Sequence, residues 1–237
     1  MKKMKKLKVL FVMVISIVVM SCSSDNDRGN IKLSLEAINP SLKTSAQKTN
    51  NAVVVFTDFR ISIRDVVFKN DDDPSGSLDT DEIKFRGPYQ IDLLNNTNAL
   101  TQTIGEVFLP DGLYKELRFK FHKDENLPIT HKLFDRSIYI EGTIDGKPFI
   151  FWHDTSENLD VGRNTGISVL NGGVNFIVQF DISQFLSSLH QIDLSMATDN
   201  NNDGLIEIFP NDQDGNQSIA KELKENIRMT ADLIDIR

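Results

Sequence analysis

The chain has 237 residues, with 34 Asp or Glu against 26 Lys or Arg, a single Cys and a single Trp. That acidity disfavours nucleic acid and anionic membranes as direct partners, because both repel a negative surface. One cysteine cannot form an internal disulfide, so a folded domain here is stabilised by packing.

The first residues, Met1-Lys2-Lys3-Met4-Lys5-Lys6-Leu7-Lys8, are basic, and an apolar run over 9–20 ends at Ser21-Cys22-Ser23-Ser24-Asp25. A basic stretch, a short apolar core and a small residue at the break form a secretory leader. The run falls short of the roughly 20 apolar residues of a membrane-spanning helix. Val19-Met20-Ser21-Cys22 resembles the lipobox of bacterial lipoproteins, which implies cleavage after residue 21 and lipid on Cys22. Two or more acyl chains hold a protein stably on a membrane. Loss of 1–21 removes five lysines and leaves 21 basic residues against 34 acidic ones, a formal charge of −13. Ser23-Ser24-Asp25-Asn26-Asp27 is similar to the signal that sends lipoproteins of Bacteroidota to the outer face of the outer membrane, with the periplasmic face as the alternative. A solvated tether over 22–30 is the plainer reading of the same residues.

Residues 31–37 alternate Ile31, Leu33, Leu35 against Lys32, Ser34, Glu36, a half-buried strand. Residues 53–68 continue in the same way, as two strands or one long bent one, with Val53, Val55, Thr57, Phe59, Ile61 and Ile63 assigned to one face and Arg60, Ser62 and Arg64 to the other. A polar loop over 39–51 separates them. Asp71-Asp72-Asp73-Pro74-Ser75-Gly76-Ser77 is a loop, and its acids read as solvated before they read as metal ligands. Strands follow over 82–85, 89–94 and 106–109. Further on, Asp145-Gly146 between 137–144 and 147–152 predicts a hairpin. Asn171-Gly172-Gly173 between 167–170 and 174–180 predicts a second one. Strands this frequent mean a mainly β fold, an antiparallel β-sandwich of immunoglobulin-like or transthyretin-like type over 31–182.

Asp92-Leu93-Leu94, followed by Leu109-Pro110-Asp111-Gly112-Leu113-Tyr114-Lys115-Glu116-Leu117-Arg118, carries a further resemblance. Pro110-Asp111-Gly112 supplies a tight turn, with Pro setting one dihedral and Gly accepting positive φ. The combination resembles a β-sandwich family of Bacteroidota lipoproteins of unknown function, with a D-L-L strand before an L-P-x-G-x-Y-x-x-L-R turn and strand. The resemblance implies a fold and no catalytic residues.

Beyond residue 182 the pattern becomes helical. Ile182, Phe185, Leu186 and Leu189 predict one helix over 181–189, capped by Asp181 or Ser183. Ile219, Leu223, Ile227, Leu233 and Ile234 predict another over 218–236, docked on the sandwich. Together they form a C-terminal α-helical extension over 183–237. Between them, Asp199-Asn200-Asn201-Asn202-Asp203-Gly204-Leu205-Ile206-Glu207 matches the first half of an EF-hand loop. Asp199, Asn201, Asp203 and the Leu205 carbonyl are its candidate ligands for a structural Ca2+. Pro210 stands where the closing glutamate belongs, so Glu207, Asp212 or Asp214 must close the site. The alternative is an Asn-Gly turn without an ion.

No H-E-x-x-H, G-x-S-x-G, phosphate loop or cysteine pair is present, so no catalytic residues are assigned. His122, His131, His153 and His190 are scattered. His122 and His153 fall at strand ends, where a fold-assembled metal pair competes with plain packing. Trp152 with Tyr139, Phe149 and Phe151 reads as core packing before it reads as a sugar platform. The sequence therefore leads to a membrane-anchored envelope lipoprotein that binds or supports an envelope protein. A glycan-binding lipoprotein of an uptake system and a carboxylate-dependent hydrolase are the alternatives.

Overall fold

In a computed structural model of the chain, the described residues are 28–38, 47–49, 52–70, 83–96, 98–170, 172–186 and 192–236. The leader, Cys22, the acidic loop at 71–77 and His190 lie outside them. The strands are β1 (Arg28–Ile38), β2 (Gln47–Thr49), β3 (Ala52–Asn70), β4 (Ile83–Phe85), β5 (Tyr89–Asn95), β6 (Asn98–Ala99), β7 (Thr101–Pro110) and β8 (Gly112–Phe121). They continue with β9 (Ile138–Ile144), β10 (Lys147–His153), β11 (Asn158–Val169), β12 (Val174–Asp181), β13 (Ile206–Ile208) and β14 (Ala231–Ile236), with one α-helix among the described residues, α1 (Gln217–Ile227).

Two sheets face each other across one core. The smaller has the order β14-β12-β1-β7, and the larger runs β11-β8-β3-β9-β10-β13 with β2, β4 and β5 also on β3. The alternation of β1 does what the sequence predicts, burying Ile31, Leu33 and Leu35 while Lys32 stays exposed. Two ladders, β1 with β12 and β10 with β13, are parallel, so both sheets are mixed where the pattern predicts antiparallel pairing throughout. Alternation encodes which face is buried and is silent on strand direction.

The 53–68 run is one strand, β3, and it organises the larger sheet. One edge pairs with β9 over its first half and β8 over its second, and the other edge pairs with β2, β5 and β4. Its faces correct the sequence reading. Val54 and Phe56 are buried while Val53 is exposed, yet Phe59, Ile61 and Ile63 are buried too. An irregularity between Phe56 and Asp58 inserts one residue against β9 and exchanges the faces there.

The hairpin at Asp145-Gly146 forms, with Lys147 opposite Ile144. A side chain at Gly142 would begin 2.0 Å from the Val55 carbonyl oxygen, so only glycine lets β9 lie this close to β3. The second predicted hairpin does not form. β11 pairs with β8 in the larger sheet and β12 with β1 and β14 in the smaller, so the chain changes sheets between β11 and β12. Pro110-Asp111-Gly112 makes another such crossing, from β7 to β8, and the Tyr114 hydroxyl donates to the Pro110 carbonyl at 3.0 Å to close it.

Phenylalanines fill the space between the sheets. Phe59 and Phe180 meet at 6.4 Å, Phe68 and Phe176 at 5.6 Å, and Phe56, Phe149 and Phe151 gather around Phe59 and Phe185. Aromatic pairs at these separations add to the area that each ring buries.

Of the helix predicted over 181–189, the described part, up to 186, holds a 3-10 turn over Ile182–Gln184, capped by Asp181, which accepts from the Ser183 amide, and 187–189 lie outside the described residues. The helix predicted over 218–236 stops at Ile227, and the chain then returns as β14, antiparallel to β12. Ile219, Leu223 and Ile227 keep a four-residue spacing, but the next strongly apolar residue is Leu233, six further on. Ile234, seven residues past Ile227, still fits the helical period, so the apolar pattern does not separate helix from strand here and the pairing with β12 decides it. α1 buries Ala220, Leu223, Asn226 and Ile227, and Asn226 donates to the Phe185 carbonyl at 2.9 Å.

Candidate functional site

The acidic turn predicted to bind calcium leads into β13 and folds back on itself before α1. Asp199, Asn201 and Asp203 each accept from a main-chain amide ahead, while Asn200 and Asn202 donate through Nδ2 to the Asp214 and Asn200 carbonyls. Asp199 Oδ2 takes Gly204 N at 3.1 Å, Asn201 Oδ1 takes Asp203 N at 2.9 Å and Asp203 Oδ1 takes Leu205 N at 2.9 Å. Gly204 has φ of 90°, the sharp bend that glycine allows. Asn201 Nδ2 donates to Asp203 Oδ2 at 3.2 Å and to Glu207 Oε2 at 3.5 Å, which brings these three side chains together. Asp199 Oδ1 is buried without a partner among the described residues.

Asp214 and Asp212 hold the turn from below. Asp214 is fully buried: its Oδ1 accepts from Asn200 N and Asn201 N at 2.9 and 3.1 Å, and its Oδ2 from Glu207 N at 2.8 Å. Asp212 accepts from the Asn216 and Phe209 amides. Asn216, 2 % exposed, accepts from Thr198 N and donates to the Thr198 and Glu207 carbonyls. The oxygens of Asp212 and Asp214 are thus engaged with the main chain, while Asp199, Asn201, Asp203 and Glu207 line the turn with the Leu205 main chain between them. Burial, then the charges of Asp214, Asp203 and Asp212, raise the Glu207 carboxyl above its ordinary value. Among the described residues, no three His, Cys, Asp or Glu side chains converge on a metal position. A cation here would need Asn201 and main-chain oxygen to complete its shell.

A second polar cluster, which sequence reasoning missed, lies on β3 and β9. Asp58 and Glu141 are direct cross-strand partners, an arrangement that repels unless a cation intervenes. Lys132 supplies it, with Nζ 2.7 Å from both Asp58 Oδ2 and Glu141 Oε2. Arg60 forks onto Asp58 at 2.8 and 3.1 Å and reaches Asp92 at 3.5 Å. Tyr139 donates to Glu141, and the Arg136 guanidinium lies over both the Tyr139 and the Trp152 rings. Burial, then the Glu141 hydrogen bond and charge, hold the Tyr139 phenol well above its usual range.

Phe149 and Phe151 are core residues, as predicted. Trp152 is half-buried with Phe209 stacked on it at 4.7 Å and Arg136 over it, so its ring already carries partners where a sugar would stack.

His122 and His153 sit where β8 and β10 end around Ser62 and Ser137. His122 lines an open groove of about 390 Å³ with Arg64, Lys123, Asn126 and Asp154. His153 Nδ1 lies 3.5 Å from Asp154. Burial lowers both imidazoles, with Arg64 adding to the effect at His122. His131 accepts from the Leu133 amide through Nδ1.

The chain matches no family model, no curated protein and no solved structure.

Proposed function

We propose that this protein is a lipid-anchored lipoprotein of the bacterial cell envelope, on the outer face of the outer membrane, with a binding or structural role and no catalytic centre. The observation that carries the reading is the position of Cys22. It follows a secretory leader and precedes the first core strand by six residues, so lipid on it would tie the sandwich closely to a membrane. Membership of the β-sandwich lipoprotein family is supported by the work that its pattern residues do. Leu93, Leu94, Leu109 and Leu117 are buried, Tyr114 closes the β7–β8 crossing and Arg118 pairs with Asp160.

A structural calcium ion in the 199–216 turn belongs to the same proposal, with Asp199, Asn201, Asp203, the Leu205 carbonyl and Glu207 as ligands. Its support is the unpartnered Asp199 oxygen together with the raised Glu207 carboxyl, and millimolar calcium outside the cell suits a weak site. Comparing melting with and without calcium tests that part.

The anchor is tested by expressing the full chain in a lipoprotein-processing host, weighing the mature protein and floating membranes on a density gradient. The parent is expected to carry acyl mass on Cys22 and to float with the outer membrane, and Cys22→Ser to do neither. An unacylated parent, or a Cys22→Ser variant that still floats, overturns the reading.

A further inference from the structure

The chain enters the sandwich at one end, and the register shows what surrounds that entry. Arg28 lies opposite Pro110, Gly29 opposite Leu109 and Asn30 opposite Phe108 on β7. On the other side a Cβ at Gly173 would sit 3.0 Å from the Asn30 carbonyl oxygen, and one at Gly29 would sit 2.9 Å from that of Leu170. The β7–β8 and β11–β12 crossings therefore close the end from which the chain leads back to Cys22. From Cys22 to Arg28 there are six Cα steps, at most about 20 Å even when fully extended. That is shorter than β1, whose 11 residues span roughly 33 Å. An anchor at Cys22 holds this end of the domain nearest the lipid.

Two large apolar side chains protrude at this end, Phe108 at 64 % exposure and Leu170 at 62 %. Leu109 and Val169 beside them are fully buried, so the alternation turns Phe108 and Leu170 out of the core. The strand ends and crossings around them carry balanced charge, to which the tether adds Asp25 and Asp27. Residues 28–30, 108–112 and 169–175 contain one cation, Arg28, and one acid, Asp111, in a chain whose mature charge is −13. Asp235, on the neighbouring β14, is paired with Arg163. Apolar side chains with little charge around them, held within reach of a bilayer, are the composition of an interfacial contact.

We propose that this end is a bilayer-docking surface, with Phe108 and Leu170 seated among the lipid headgroups; the inference rests on the anchor at Cys22. Docking orients the domain. The 199–216 turn is joined through β10 and β9 to the opposite half of β3 and is thereby carried away from the lipid.

The test uses the full lipidated chain in zwitterionic phosphatidylcholine vesicles whose acyl chains carry bromine, a short-range quencher of tryptophan. Phe108→Trp and Leu170→Trp report the docking end. Ile129→Trp, 80 % exposed and beyond the far end of β8, reports the opposite one, and the parent reports Trp152 alone. Emission of the tryptophan added at 108 or 170 is expected to fall about two-fold in the brominated vesicles, as for a side chain seated in the interface. Ile129→Trp and the parent are expected to stay unchanged. Unquenched emission at both 108 and 170, in protein that floats and carries lipid on Cys22, overturns the docking surface and leaves the anchor intact. Equal quenching at 129 overturns the orientation. Absence of lipid from Cys22 overturns the docking surface together with the anchor.

Discussion

Around Lys132, Asp58 and Glu141 each lie 2.7 Å from one ammonium and Asp58 is forked onto Arg60, whereas in the 199–216 turn Asp203, Glu207 and Asp214 meet amide groups alone. Among the described residues no Lys, Arg or His makes an ion pair with the acids of that turn. The two clusters use the same side chains to opposite ends. The first is neutralised from within and closes a cross-strand repulsion in the larger sheet. The second keeps its charge, and the upward shift of Glu207 comes first from burial and then from the charges of Asp214, Asp203 and Asp212, the part that an added cation would relieve.

The largest effect that separates the clusters is expected at Asp214. Replacement by alanine strands the amides of Asn200, Asn201 and Glu207 in a buried corner. At roughly 1–3 kcal/mol per orphaned donor, partly recovered by relaxation, the loss is about 3–5 kcal/mol. Urea unfolding measures it. A loss below about 1 kcal/mol would show that the turn is not held by that carboxylate.

Lys132→Met comes next, because it leaves Asp58 facing Glu141 with only Arg60 in compensation. The Lys132 side chain is 35 % exposed, so solvent screens part of the interaction and the expected cost is about 1–2 kcal/mol. Adding Glu141→Gln should return part of it, and a double-mutant cycle by chemical denaturation reads the coupling. Two losses that simply add would mean that Lys132 acts through packing over Tyr139 and not as the bridge. Calcium should leave both variants unaffected in this respect.

The clusters also differ in how far the sequence discloses them. The 199–216 turn is contiguous, so its oxygen spacing can be read directly, and the apolar alternation of β1 and the Asp145-Gly146 hairpin are local in the same sense. The Lys132 cluster assembles across β3, β9 and the segment between β8 and β9, and only the register of β3 with β9 places Asp58 opposite Glu141. Register is a tertiary property, and so is the destination of a turn. Gly172-Gly173 has hairpin composition, but β11 and β12 lie in different sheets because each finds another partner there. The face exchange near Phe56 escapes alternation for a related reason, since one inserted residue leaves the hydrophobic pattern almost unchanged while reversing its direction. At the C-terminus Ile234 stands seven residues past Ile227 and keeps the helical period, so the end of α1 is set by the pairing of β14 with β12, which is again tertiary.

The smallest and sharpest difference lies at Glu207. Its folded pKa is raised from an unfolded value of 4.5, so the folded state binds this proton more tightly than the unfolded chain does. The group therefore favours folding below about pH 4.5, and that contribution is lost as pH rises through the folded value. Without calcium at pH 7, Glu207→Gln should melt slightly above the parent, because it removes the repulsion from Asp214 and Asp203. Calcium at ten times its dissociation constant should then stabilise the parent by about 1.4 kcal/mol, roughly 3 °C in melting temperature. Asp203→Ala and Glu207→Gln should gain much less, since each removes an oxygen from the shell. Scanning calorimetry at pH 5 and pH 7, with calcium and with chelator, separates the two effects. A parent that calcium does not move, beside a Glu207→Gln variant that still melts higher at pH 7, would keep the electrostatic account of this turn and discard the ion.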